Sequence, residues 1–216
     1  MEECVWYASY GSNLLKERFL CYITGGRPEG SLDTEPGCRD NSLPKDDRQI
    51  LISHPLYFAK EAARWGDGGV AFIGGQSNND QTLGRMYLIT KDQFIDVVSQ
   101  ENRNIEVSLD LENVKSKRNH LFEESWYGNV VYLGDEEGYP IFTFTANWDE
   151  EVIDYKSPSK EYLGTIIRGL LQTYKMDEET LVNYLINKKG IDINYNQENL
   201  RELIQQCELS GRINNE

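Results

Sequence analysis

The chain of 216 residues is short of histidine, the commonest general acid–base residue. It has two, His54 and His120, in separate stretches, so a mechanism built on a histidine cluster has little to work with. Each reads as a structural or surface residue. Four cysteines, Cys4, Cys21, Cys38 and Cys207, are scattered and include no C-x-x-C pair. That spacing fits neither a zinc site nor a small disulfide scaffold, and the thiols read as reduced and structural. Cations are the minority charge, with 22 Lys and Arg against 36 Asp and Glu, a net charge of −14. Binding to nucleic acid needs clustered Lys and Arg against phosphate. An anionic membrane surface makes the same demand. Neither partner is expected. No run of about 18 apolar residues occurs, which excludes a transmembrane helix. The opening Met1-Glu2-Glu3-Cys4 is acidic and lacks the basic and apolar regions of a signal peptide, so the expected location is the cytoplasm. No serine sits in the G-x-S-x-G elbow of a hydrolase triad. No internal repeat or low-complexity tract is present.

What remains supports one packed domain: 39% of residues are hydrophobic and 27% charged. Residues 4–10, Cys-Val-Trp-Tyr-Ala-Ser-Tyr, read as a strand. The chain breaks at Gly11-Ser12-Asn13, then Leu14, Leu15, Arg18, Phe19 and Tyr22 have helical spacing, with Ser12 or Asn13 as cap. Residues 25–49, rich in Gly, Pro and charge, read as a long loop or insertion, either a lid over a pocket or a surface excursion. Three β-like runs follow at 49–60, 69–73 and 82–89, with a glycine-rich turn, Trp65-Gly66-Asp67-Gly68-Gly69, between the first two. Thr90 and Gln93 have capping-box spacing at the head of a helix. Residues 104–126 stay unassigned. Residues 127–134 and 139–146 form a hairpin around Asp135-Glu136-Glu137-Gly138. Helices follow from Ser157-Pro158, with Pro at the first helical position, over 177–189 up to Gly190, and over about 196–209. Six short strands before three late helices predict an α+β fold with a small barrel or curled sheet.

Three features invite chemistry. Glu101 follows Phe94, Val97 and Val98 by seven, four and three residues, which puts a carboxylate on the apolar face of the helix from Thr90. Burial there raises a carboxyl pKa toward the range useful to a general base; fraying at the helix end, or pairing with Arg103, is the alternative. The turn Tyr10-Gly11-Ser12-Asn13 ends a strand and opens a helix, so its backbone N–H groups are available to an anion, or simply form an ordinary capped turn. Tyr162, Ile166, Leu170 and Tyr174 repeat every four residues as a core stripe, with Gly169 among them marking close packing or a nearby ligand. The acidic groups Glu123-Glu124 and 149–151 read as solvated surface. The glycines at 66, 68 and 69 lack the strand–helix context of a dinucleotide site.

Taken together, these segments resemble the gamma-glutamylcyclotransferase superfamily. Tyr7-Ala8-Ser9-Tyr10-Gly11-Ser12-Asn13-Leu14-Leu15-Lys16-Glu17-Arg18 is similar to its N-terminal signature. Trp65-Gly66-Asp67-Gly68-Gly69-Val70-Ala71 resembles its glycine turn into a strand, and Leu83-Gly84-Arg85-Met86-Tyr87 its next strand. Glu101 falls where the family places its catalytic glutamate, and Pro158-Ser159-Lys160-Glu161-Tyr162 resembles the motif that opens a late helix. The likeness spans about residues 5–175. Ser9 stands where alanine is usual, Asn102 where glycine is common and Phe144 where a pocket tyrosine is expected.

The resemblance implies a small six-stranded barrel-like mixed sheet with flanking helices and a pocket at its mouth. The domain expected from it covers 1–175, interrupted at 25–49; the helices of 176–216 lie beyond the likeness and are expected as a C-terminal extension packed on the same domain, covering an edge or forming a dimer contact. The resemblance also implies a cofactor-independent enzyme that releases 5-oxoproline from a gamma-glutamyl compound. Glu101 would be the general acid and base. The turn, Tyr7, Ala8, Ser9, Tyr10, Gly11, Ser12 and Asn13, together with Tyr162, would hold the substrate. The implied partner is a small gamma-glutamyl molecule, with no metal, and the chain is a monomer or a homodimer. A non-catalytic binding or interaction protein on the same fold is the alternative.

Overall fold

The computed structural model describes residues 3–29, 34–148 and 152–213. Within them, eight strands and six helices follow the α+β order: β1 (Cys4–Ser9), α1 (Lys16–Thr24), β2 (Asp46–Ile52), β3 (Leu56–Ala62), β4 (Gly68–Ile73), β5 (Thr82–Thr90), α2 (Lys91–Glu101), α3 (Leu111–Lys117), β6 (Asn119–Leu121), β7 (Asn129–Glu136), β8 (Tyr139–Thr145), α4 (Lys160–Tyr174), α5 (Glu178–Ile186) and α6 (Gln197–Ile213). Short 3-10 turns at Ser12–Leu14 and Ala63–Trp65 complete the list.

Six strands form one mixed sheet in the order β2-β5-β1-β8-β7-β6. β1 and β8 run parallel; β1–β5, β2–β5, β6–β7 and β7–β8 are antiparallel. β3 and β4 form a separate antiparallel pair, so the expected barrel is two sheets rather than a closed cylinder. The pair is tied to β8 by the Thr145 hydroxyl, which donates to the Ile73 carbonyl at 2.8 Å.

β1 is buried along its whole length because both faces of the central sheet are covered. Side chains alternate across a strand. Val5 and Tyr7 therefore join Phe19, Tyr22, Phe94, Val97 and Val98 of α1 and α2. Trp6 and Ala8 face the other way, into a core with Phe58, Phe72, Leu163, Ile166, Leu185 and Ile204. Helices α4, α5 and α6 thus share one core with β1, β3 and β4.

Several boundaries depart from the expectations. The run 49–60 is two strands in two sheets, split at His54-Pro55, where proline removes a ladder donor. His54 closes that corner, its Nδ1 lying 2.7 Å from the Gly74 carbonyl oxygen. β2 begins at Asp46, so the end of the 25–49 segment is sheet rather than loop. The rest of that segment is pinned where Gly26 and Glu35 exchange two backbone hydrogen bonds of 3.0 and 2.8 Å; residues 30–33 lie outside the described residues, as does the acidic run 149–151. α4 starts at Lys160, not at Pro158, because the Ser157 and Pro158 carbonyls are taken by the Gly69 N–H and the Tyr195 hydroxyl. Ser159 caps it instead, accepting from the Tyr162 N–H at 3.2 Å. α5 stops at Ile186 because the chain beyond it pairs with β3, the Lys189 carbonyl accepting from the Phe58 N–H. The capping box of α2 forms as expected, with Thr90 and Gln93 in reciprocal bonds.

Candidate functional site

The carboxyl ends of the parallel pair β1 and β8 open into a cleft of about 1110 Å3. A parallel pair sends both chains away from the same end of the sheet, which leaves a crevice there. Its walls come from the turn after β1, the end of α2, the loop before β7, the head of β4 and the first turn of α4.

The turn is built by close packing. The Leu14 N–H donates to the Gly11 carbonyl at 3.0 Å and the Leu15 N–H to the Ser12 carbonyl at 3.2 Å. Behind it lies Gly169 of α4, where a Cβ would come within 2.6 Å of Leu14 and of the Leu15 nitrogen. That contact accounts for glycine in the helix interior. In front lies Tyr162: a Cβ on Gly11 would sit 3.2 Å from its hydroxyl oxygen. Tyr87 fixes the turn from below, its hydroxyl donating to the Asn13 carbonyl at 2.8 Å. Among the described residues, no protein acceptor takes the amide N–H of Gly11, Ser12 or Asn13.

Glu101 ends α2 and reaches this turn. It is half-buried, on the cleft wall rather than in the core that its helical spacing suggested. The Asn13 side-chain amide donates to Glu101 Oε1 at 3.2 Å and to the Tyr7 hydroxyl at 3.3 Å. Burial first, then the charge of Glu101, pushes the Tyr7 phenol well above its ordinary pKa, so it stays neutral. Asn102, the next residue, is buried and steadies the helix end. Its amide donates to the Val98 and Tyr127 carbonyls, and its oxygen accepts from the Ser125 hydroxyl at 2.5 Å.

β4 forms the opposite wall, clamped at Ala71 by two tyrosines. The Ala71 N–H donates to the Tyr162 oxygen at 3.0 Å, and the Tyr127 hydroxyl donates to the Ala71 carbonyl at 3.3 Å. Trp65 packs edge-on against Tyr162 with ring centroids 4.8 Å apart. Phe144 stacks on Tyr7 at 5.2 Å, and its carbonyl accepts from the Tyr10 hydroxyl at 2.8 Å. Tyr10 and Tyr127 are also raised well above the ordinary tyrosine pKa, burial being the main cause.

The fold therefore brings together Glu101, Tyr7, Ser9, Tyr10, Gly11, Ser12, Asn13 and Tyr162, all on the cleft wall. Ala8 is the exception: strand alternation turns it into the core with Trp6, fully buried and off the wall. Glu123 and Glu124, read as solvated surface, line the cleft mouth. Trp65, Tyr127 and Arg18 were not singled out by sequence as site residues. Arg18 carries a signal, a cation on the apolar stripe that runs from Leu14 to Tyr22; Tyr127 opens the run 127–134 expected as a strand, but β7 begins only at Asn129 and leaves Tyr127 in the loop before it. Among the described residues, no three His, Cys, Asp or Glu side chains group as a metal site. No described helix is long and apolar enough to cross a membrane.

No family model matches the chain. A solved structure of an uncharacterized protein from Homo sapiens aligns over 94% of this chain and 99% of its own, with 19% identity and a TM-score of 0.51. A structure named gamma-glutamyl cyclotransferase aligns over the same shares at 18% identity and a TM-score of 0.48. A curated protein of Arabidopsis thaliana named Histone deacetylase 5 is 40% identical over 199 residues, 84% of this chain. The chain spans 30% of that relative's length. The chain shares the fold of the uncharacterized human protein.

Proposed function

We propose that this chain is a gamma-glutamyl cyclotransferase, releasing 5-oxoproline and a free amine from a gamma-glutamyl compound. The observation that carries the reading is the Glu101 carboxylate, held in a cleft by the amide of the strand–helix turn. In the reaction, the substrate's α-amine attacks its own γ-carbonyl carbon. A carbon–nitrogen bond forms in the five-membered ring and the bond to the leaving amine breaks. The α-amine arrives protonated, so it needs a base. Glu101 takes one proton before the attack and returns it to the departing nitrogen. The ring nitrogen, still carrying an extra proton after the attack, loses it as the adduct collapses. The products are the lactam N–H and the amine, which leaves with that second proton as its ammonium or releases it to solvent. The N–H groups of Gly11, Ser12 and Asn13 are the candidate donors to the developing oxyanion. The nucleophile is tethered to its target, and such geometry is worth effective molarities of ~10⁵ M or more. Positioning by Tyr7, Tyr162 and Phe144 therefore supplies much of the rate. The neutral phenol of Tyr7 suits this role, since it offers a hydrogen bond without adding charge beside Glu101.

The test is product analysis. The purified protein is incubated with glutathione, gamma-glutamyl amino acids and gamma-glutamyl-lysine, and 5-oxoproline is measured by mass spectrometry. Glu101→Gln keeps the fold and lowers turnover by about 10² or more. Equal turnover in that variant removes Glu101 from the mechanism. The name of the Arabidopsis relative motivates one further arm, an acetyl-lysine peptide. Acetate release there, without 5-oxoproline from any other substrate, moves the assignment to amide hydrolysis.

A further inference from the structure

Arg18 is a buried cation whose protein partners leave it incompletely matched. Its side chain is 4% exposed. Nε donates to Ser12 Oγ at 2.8 Å. Nη2 reaches the Tyr22 hydroxyl at 3.5 Å, the outer limit of a hydrogen bond, and the Glu35 carboxylate at 4.0 Å. Nη1 is buried with no hydrogen-bond partner. The guanidinium lies over the rings of Trp65, at 5.0 Å, and Tyr22, at 5.7 Å. Rings offset its charge but accept few of its five donors.

Its position gives this shortfall a meaning. Ser12 and Asn13 are neighbours in one turn. The side chain of Ser12 holds a cation, Arg18, and that of Asn13 holds an anion, Glu101. Both charged residues line the same cleft. A gamma-glutamyl group carries the complementary pair, an ammonium and a carboxylate, on one α-carbon. Resting on the cyclotransferase reading for the substrate, we propose that Arg18 recognises the α-carboxylate while Glu101 takes the α-ammonium. The carboxylate draws the guanidinium off the Trp65 face and fills the open Nη1 donor. Glu35 at 4.0 Å offsets part of the charge, so recognition rests on the planar fork of donors more than on net charge. Arg18 thereby sets specificity for α-amino acid amides over simple γ-amino amides. It also orients the α-amine toward the γ-carbonyl.

The test compares two chromogenic probes on the full chain. One is L-γ-glutamyl-p-nitroanilide. The other is 4-aminobutyryl-p-nitroanilide, which keeps the amine and the scissile amide but lacks the carboxylate. Turnover is measured for the wild type, Arg18→Lys and Arg18→Met. Binding is measured by calorimetry in Glu101→Gln, alone and combined with Arg18→Lys. The wild type favours the carboxylate-bearing probe by about 10- to 100-fold, the range of a charged hydrogen bond. The Arg18 variants lose that preference, because turnover of the carboxylate-bearing probe falls about 10- to 100-fold further than that of the decarboxylated one. Folded variants that keep the preference, or that weaken both probes equally, overturn the proposal. If Arg18→Met fails to fold, Arg18→Lys and the wild-type comparison decide, since a wild type without preference overturns it alone. Carboxylate-dependent binding without turnover refutes the cyclotransferase reading and leaves the Arg18 assignment standing. Turnover without carboxylate dependence does the reverse.

Discussion

Two glycines on α4 make opposite predictions for the same substitution. Glycine in a helix interior costs about 1 kcal/mol relative to alanine, so Gly→Ala is stabilising wherever a methyl group fits. At Gly164 it fits. The nearest atoms to a new Cβ are Cys207 Sγ at 3.6 Å and a Leu203 methyl at 3.9 Å, ordinary contact distances. Gly164→Ala gains up to about 1 kcal/mol, which for a chain of this size raises Tm by about 2–4 °C. At Gly169 it does not fit. The new Cβ falls 2.6 Å from the Leu14 carbonyl carbon, the Leu14 Cβ and the Leu15 nitrogen. Two of these are backbone atoms, which cannot rotate away. Overpacking costs about 1–3 kcal/mol, occasionally more, against the same gain of about 1 kcal/mol. The net is a loss of up to about 2 kcal/mol, which lowers Tm by up to about 8 °C. The turn moves with Leu14, so Gly169→Ala also shifts Asn13 away from Glu101 and lowers turnover more than stability alone explains. Thermal unfolding by circular dichroism and a 5-oxoproline assay read both effects. Equal and positive Tm shifts at the two positions refute the claim that α4 packs backbone-to-backbone on the turn.

Two further outcomes follow from single contacts. Tyr162→Phe leaves the buried Ala71 N–H without its acceptor and lowers stability by about 1–3 kcal/mol, read as a fall in the urea midpoint. Burial, opposed by the bond to the Gly74 carbonyl, holds the His54 pKa below its usual 6.5. The unfolded chain then binds its proton first, so stability falls as pH drops below about 6.5 and this loss ends once the folded-state pKa is passed. Urea titrations at about pH 7.5 and about pH 5.5 show a smaller difference for His54→Gln than for the wild type; an equal difference refutes the role given to His54.

Much of the site was legible because its signals are local. The strand–turn–helix around Gly11, the capping box at Thr90 and the 135–138 hairpin each lie within a few residues. Glu101 stood out because a carboxylate interrupts an apolar stripe. The Asn13–Glu101 bond was not legible, since its partners meet only when β5 lays α2 beside the turn. The split at Pro55 was missed because β2 and β3 share one composition, and only the pairing partner tells them apart. α3 and β6 were missed because each is short, and α3 buries just Leu111 and Val114. Pro158 misled because its carbonyl serves Tyr195, a long-range claim that local helix rules do not see.

The place of β1 in the sheet carries a consequence for how the protein is made. Of the eight described strands, β1 is synthesised before the others, yet it lies in the middle of the sheet, with β5 on one side and β8 on the other. Until residue 145 has emerged, β1 has an unpaired edge, and until α4 follows, the turn has no backing. A nascent chain halted after α2 already holds Tyr7, the turn and Glu101, yet exposes a long apolar edge of the kind that pairs with other chains. Synthesis thus passes through a stage in which the residues of the cleft exist and the cleft does not. Chaperone demand and losses to aggregation should peak for stalled products ending between α2 and β7, and drop sharply once the last strand docks.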